Sequence, residues 1–137
     1  MRLLTGFPQV FPHRGVTSLQ FDFERFSRIA TGVYPEAVTS YTLQDVLTIF
    51  RYFFGAYELN RGQVHPPIRR DQIKRIIEVM DSYDLNGVVG GLDIIDPDSY
   101  PDLIDAYFQT RFPRCNYRIN HFFSGKIRTI RMFETIY

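Results

Sequence analysis

Apolar residues recur at helical spacing along most of the chain. The clearest run is 42–59. Thr42 is a good N-cap, with Asp45 three positions on as a weaker capping-box partner. Leu43, Val46, Leu47, Phe50, Phe54 and Tyr57 then fall on one face, and Asn60-Arg61-Gly62 ends the run. Pro66-Pro67 open the next predicted helix, where a missing N–H costs nothing. Its stripe is Ile73, Ile76, Ile77 and Met80, with Arg69, Arg70, Lys74, Arg75 and Glu78 off it. A third pattern begins at Asp98-Ser99-Tyr100-Pro101 and continues through Leu103, Ile104, Tyr107 and Phe108 until Pro113 stops it. Residues 116–123 suit a short helical turn. After Ser124-Gly125, Ile127, Ile130, Phe133 and Tyr137 suit a last helix, with a strand as the alternative.

Residues 16–31 satisfy two periods at once. Thr17, Leu19, Phe21 and Phe23 alternate with polar residues as a strand would, whereas Leu19, Phe23, Phe26, Ile29 and Ala30 follow a helical stripe. Helix from about Ser18 is expected, with Gly32 just past its end. Residues 1–15 hold Gly6, Pro8, Pro12 and Gly15 among Leu3, Leu4, Phe7, Val10 and Phe11, the composition of an apolar arm that docks. The expectation is a mainly α fold: one compact domain over 1–137 of about five helices, with a possible small β-hairpin near residues 86–96.

Composition supports a packed core. The chain has 137 residues, 45% hydrophobic and 23% charged, with 13 Phe, 9 Tyr and no Trp. Aromatic side chains bury large areas, so a core of this length needs no staples. The single cysteine, Cys115, excludes an internal disulfide and fits a reducing compartment. No run approaches the roughly 20 apolar residues of a membrane span, and the N-terminus is too broken by Gly and Pro for a signal peptide. A cytoplasmic protein without membrane association is the expectation.

Charge changes the picture because it is segregated while summing to only +1. Between 81 and 105 stand seven aspartates (Asp81, Asp84, Asp93, Asp96, Asp98, Asp102 and Asp105) and no Lys or Arg. After Ala106 the sign reverses: Arg111, Arg114, Arg118, Lys126, Arg128 and Arg131 face one acid, Glu134. Such blocks make local fields that net charge hides.

The stretch Asp81-Ser-Tyr-Asp-Leu-Asn-Gly-Val-Val-Gly-Gly-Leu-Asp93 has the look of a calcium loop. With Gly87 at position 6, Asp84, Asn86 and Asp93 fall at positions 3, 5 and 12. Ser82 stands where the anchoring first carboxylate belongs, and Gly90 is at position 9. A Gly-rich turn around Asn86-Gly87 accounts for it better. Cys115 and His121 could form a nucleophile and base, with Asn116 or Asn120 orienting the ring. No signature flanks them, and a free cysteine is more often a small buried hydrophobe. The histidines His13, His65 and His121 carry no ligand spacing and suit solvated or core positions. No phosphate loop and no G-x-S-x-G is present. The residues thus call for no cofactor, no metal and no catalytic group.

Two interaction modes remain. The acidic segment 81–105, through Asp84, Asp93, Asp96, Asp98, Asp102 and Asp105, could engage a basic protein surface, as a small accessory or inhibitor protein would. Asp98 and Asp102 equally suit the positive end of a helix. The alternative is a nucleic-acid binder, DNA or RNA, using the C-terminal stretch 111–133. There Arg111, Arg114, Arg118, Lys126, Arg128 and Arg131 interleave with Phe112, Tyr117, Phe122, Phe123 and Phe133, joined by Arg69, Arg70 and Lys74 in a weak helix-turn-helix likeness. The 60–66 connection is longer than that motif's turn.

Overall fold

A computed structural model describes residues 19–82 and 95–123. Among these are five helices and no strand: α1 (Phe23–Val33), α2 (Leu43–Arg61), α3 (Arg70–Ser82), α4 (Tyr100–Gln109) and α5 (Ile119–Phe122). Single 3-10 turns at Tyr34–Glu36 and Pro97–Ser99 follow α1 and precede α4. The mainly α expectation holds. The small hairpin near 86–96 is not supported: Ile95 and Asp96 are irregular chain leading into a 3-10 turn, and 86–94 lie outside the described residues. The N-terminal arm, the calcium-like loop and the last predicted helix also fall outside them.

Helix α2 is the central element and packs against α4 and α1, while α3 packs against α1. Thr42 caps it as its sequence predicts, its Oγ1 accepting the Asp45 N–H at 3.0 Å. Gly62 closes it with φ +67°, its N–H donated to the Glu58 carbonyl at 3.0 Å. That left-handed conformation is why a glycine stands there. The buried face is wider than the predicted stripe. It adds Ile49, Phe53, Gly55 and Ala56 to Val46, Phe50, Phe54 and Tyr57, because α2 has neighbours on more than one side.

Helix α1 starts later than expected. The Glu58 carboxylate on α2 accepts the N–H of Gln20 at 3.2 Å and of Phe21 at 2.8 Å, which holds this segment off the helix. Asp22 then caps α1 by accepting the Arg25 N–H at 3.1 Å. Gly32 lies inside α1 rather than beyond it, since the helix runs to Val33. Helix α3 also starts late, at Arg70 rather than Pro67. The Arg69 N–H is met by Gln72 Oε1 at 3.3 Å, and Pro66-Pro67 form the irregular approach. Over residues 70–80 its buried residues are the four predicted, Ile73, Ile76, Ile77 and Met80.

The core is a continuous aromatic cluster. Phe21 stacks on Phe54 with ring centroids 3.9 Å apart, and Phe26 meets Phe50 edge-on at 4.9 Å. Phe53 reaches Phe122 at 5.5 Å, carrying the cluster to α5, and Tyr107 reaches Phe122 at 5.2 Å. Burying one such ring contributes roughly 1.5–3 kcal/mol, and each good ring pair adds about 0.5–1.5 kcal/mol. The cluster therefore fixes α4 and α5 against α2, which places the loop between them.

Candidate functional site: the loop from Thr110 to Arg118

Residues 110–118 connect α4 to α5 and hold the chemically richest group of the described residues. Cys115 N–H donates to the Phe112 carbonyl at 3.2 Å, closing a four-residue turn. Pro113 takes its second position and Arg114, at φ +59°, its third. This is the arrangement of a type II turn, in which proline presets the second residue and the third must be left-handed. Arginine thus occupies a position that favours glycine. A second left-handed residue, Tyr117 at φ +58°, follows at once. Such a conformation persists only where surrounding contacts overdetermine it.

Those contacts come from Tyr117 itself. Its hydroxyl accepts the Phe112 N–H at 2.9 Å and donates to the Thr110 carbonyl at 2.8 Å. Its backbone N–H donates to Cys115 Sγ at 3.1 Å. Asn116 Oδ1 accepts the Arg118 N–H at 3.1 Å, and the Arg61 guanidinium lies 4.8 Å over the Tyr117 ring. One side chain therefore joins both ends of the loop, and the end of α2 covers it.

Cys115 and His121 are brought together. Sγ lies 3.1 Å from His121 Nδ1. The third member is neither asparagine. Asn116 is engaged in its own turn, Asn120 is exposed on α5, and the group at the ring is Tyr107, whose hydroxyl is 2.7 Å from Nδ1 and 3.7 Å from Sγ. Sequence spacing pointed to the Cys–His pair. Tyr107 was hidden because it reads as core stripe, and its ring is indeed buried in α4. Burial first, then the Cys115 hydrogen bond, pushes its phenol far above the ordinary range, so the hydroxyl keeps its proton. Burial lowers the His121 pKa.

His65 supports this loop from below. It is 3% exposed, with Tyr57 and Phe54 rings at 4.7 and 5.1 Å. Nδ1 lies 2.8 Å from the Pro66 carbonyl, so it carries the proton, and Nε2 accepts the Ile119 N–H at 3.1 Å. Both ring nitrogens are satisfied only in the neutral form. Desolvation accordingly drives its pKa down to about 4, opposed by the Pro66 hydrogen bond and helped by the nearby Arg118 charge. Its Ile119 bond ties down the first residue of α5.

The charged residues separate into engaged and outward-facing ones. Asp96 Oδ1 accepts the Asp98 N–H at 2.8 Å, capping the 3-10 turn. Both Asp105 oxygens meet the Tyr52 hydroxyl, at 2.8 and 2.9 Å. Asp98 and Asp102 are exposed at the start of α4, and Asp84 and Asp93 lie outside the described residues. Arg69 pairs with Asp71 at 3.3 Å and Arg70 with Glu36 at 2.7 Å, while Lys74 is half-buried on α3. Arg111, Arg114 and Arg118 are exposed, and among the described residues none has a carboxylate partner. Lys126, Arg128 and Arg131 lie outside that set.

An apolar cleft of about 150 Å³ opens between α1 and the 64–68 segment, lined by Phe21, Phe26, Ile29, Val64, Pro67 and Ile68, with Asp22 and Arg25 among its polar groups. No cluster of three His, Cys, Asp or Glu side chains gathers among the described residues, and none of their helices is long and apolar enough to cross a membrane. Compared with protein-family models, with curated proteins and with solved structures, the chain has no match.

Proposed function

We propose that this is a non-enzymatic interaction domain that binds an anionic macromolecule, single-stranded nucleic acid, through the loop between α4 and α5. The observation that carries this is the presentation of Arg111, Arg114 and Arg118. They are three exposed cations within eight residues, with no carboxylate partner among the described residues, on a loop that Tyr117 staples at both ends. Cations held on a fixed backbone gain affinity because little ordering entropy remains to be lost on binding. Each phosphate they neutralise releases counterions, and that release drives the association. Arg61, its guanidinium 4.8 Å over the Tyr117 ring, adds a fourth cation beside an aromatic face.

Engagement of a basic protein through the acidic segment has less left to stand on. Asp96 and Asp105 serve turns and helix contacts, and Asp98 and Asp102 favour the α4 N-terminus. The test is fluorescence anisotropy with a labelled single-stranded oligonucleotide. Wild type should bind, and replacing Arg111, Arg114 and Arg118 together by Ala should weaken binding at least tenfold, because three phosphate contacts and their counterion release are lost. Unchanged binding in that variant would reject the site. Absence of binding, combined with capture of a highly acidic protein, would keep the face and change the partner class.

A further inference from the structure

His121 Nδ1 has one lone pair and two hydroxyl-type protons within reach of it. Tyr107 Oη is at 2.7 Å and Cys115 Sγ at 3.1 Å. Only one of them can donate there at a time. A phenol is a stronger donor than a thiol, so at rest the phenol donates to Nδ1 and the imidazole carries its proton on Nε2. The thiol then lacks its base. If the Tyr107 hydroxyl turns away, Nδ1 accepts the thiol proton. The resulting thiolate keeps the Tyr117 N–H at 3.1 Å and gains the Nδ1–H as a second donor. Hydrogen bonds to a charged group are about twice as strong as neutral ones, which offsets part of the cost of forming the ion pair in a half-buried site.

The surroundings select the chemistry of an attacked molecule. Acyl transfer needs free backbone N–H groups beside the nucleophile to hold an oxyanion. Those of Cys115, Tyr117 and Arg118 are already engaged, by the Phe112 carbonyl, Cys115 Sγ and Asn116 Oδ1. A hydroperoxide needs no such hole. It needs a thiolate, a proton for the departing oxygen, and small size to reach a half-buried sulfur.

The geometry points to Cys115 as a peroxide-reactive modification site, activated by His121 and restrained by Tyr107. His121 takes the thiol proton, and the thiolate sulfur attacks one oxygen of hydrogen peroxide. The O–O bond breaks, and the leaving hydroxide takes the proton from His121 and departs as water. Sulfur loses two electrons and becomes a sulfenic acid; the peroxide is reduced. With one cysteine in the chain, no second thiol can resolve that product internally. Two molecules of a low-molecular-weight thiol return it: the first displaces water to form a mixed disulfide, and the second releases Cys115 as the thiol. His121 is the proton acceptor; Tyr107 is a positioning residue that acts through it.

The test follows loss of free thiol under hydrogen peroxide at neutral pH, with sulfenic acid confirmed by mass spectrometry after dimedone trapping. Native wild type should react about tenfold faster than N-acetylcysteine. His121→Gln should fall to the rate of N-acetylcysteine. Tyr107→Phe, which removes only the competing hydroxyl, should react several-fold faster than wild type, a direction that mere loss of packing around a half-buried thiol with an intact base does not specify. The same order should hold with iodoacetamide. Both variants are compared only where their circular dichroism and melting match a folded chain. A wild-type rate no greater than that of N-acetylcysteine overturns the proposal whether or not either variant folds. An unchanged rate in His121→Gln, or a slower one in Tyr107→Phe, overturns the roles assigned to those residues. Oligonucleotide binding is measured separately, so loss of one property leaves the other standing.

Discussion

The Tyr52 hydroxyl on α2 bridges both carboxylate oxygens of Asp105 on α4, at 2.8 and 2.9 Å. This bond joins the two helices that share the most extensive contact among the described elements, and it converts a residue of the acidic segment into a structural anchor. Hydrogen bonds to a charged partner contribute about 1.5–3 kcal/mol. Tyr52→Phe should therefore lower stability by about 2 kcal/mol in urea unfolding, with the slope of the transition unchanged. A midpoint equal to that of wild type would show that Asp105 finds its hydrogen bonds elsewhere.

His65 gives the fold an acid-sensitive point. Its folded pKa, about 4, is below the 6.5 of an exposed imidazole. Between these values the unfolded chain binds more protons than the native one, so stability falls as pH falls. The contribution is complete above pH 6.5 and is lost through pH 4. From pH 7 to pH 5 the loss should be about 2 kcal/mol, at 1.36 kcal/mol per pKa unit. Urea midpoints of wild type and His65→Gln at the two pH values measure it. The variant's drop should be smaller by that amount, and equal drops would contradict the neutral, doubly bonded ring.

Two glycines should respond to alanine in opposite directions. Beyond the adjoining backbone, neither has an atom within 4 Å of where a Cβ would sit, so backbone conformation decides. Gly62 is left-handed at φ +67°, and Gly62→Ala should cost about 1 kcal/mol. Gly32 is helical and exposed within α1, and Gly32→Ala should stabilise by about 0.5–1 kcal/mol. Thermal melts of both variants provide the check.

Tyr117 holds two backbone groups with one hydroxyl, and Tyr117→Phe leaves both without that partner. The loss should be about 1–3 kcal/mol. Hydrogen exchange should locate it, with the Phe112 amide losing protection before the amides of α2. If Phe112 keeps its protection, the loop owes its shape to something other than this phenol.

The parts legible beforehand were those decided within a few residues. The stripes of α2, α3 and α4, the Thr42 cap and the Gly62 stop all follow from local spacing and local hydrogen bonds. The start of α1 was not legible, because residues 16–31 satisfy both periods and the deciding group, Glu58, is 37 residues from Phe21. The loop shows the same division. Cys115 and His121 stand six residues apart and are visible as a pair, whereas Tyr107 presents itself as one more apolar position. Nothing local announces that its hydroxyl turns toward His121. Nor does the acidic run announce that Asp105 is engaged with Tyr52, 53 residues away, whereas the Asp96 cap is a local bond to the Asp98 N–H two positions on.

The most direct test of the account is the salt dependence of oligonucleotide binding. If Arg111, Arg114 and Arg118 each neutralise one phosphate, the logarithm of the binding constant should fall against the logarithm of salt concentration with a slope of about −2, at about −0.7 per contact for a single strand. The triple Ala variant should bring that slope near zero. A wild-type slope already near zero, or one that the triple substitution leaves unchanged, would contradict the claim that this loop is the binding face.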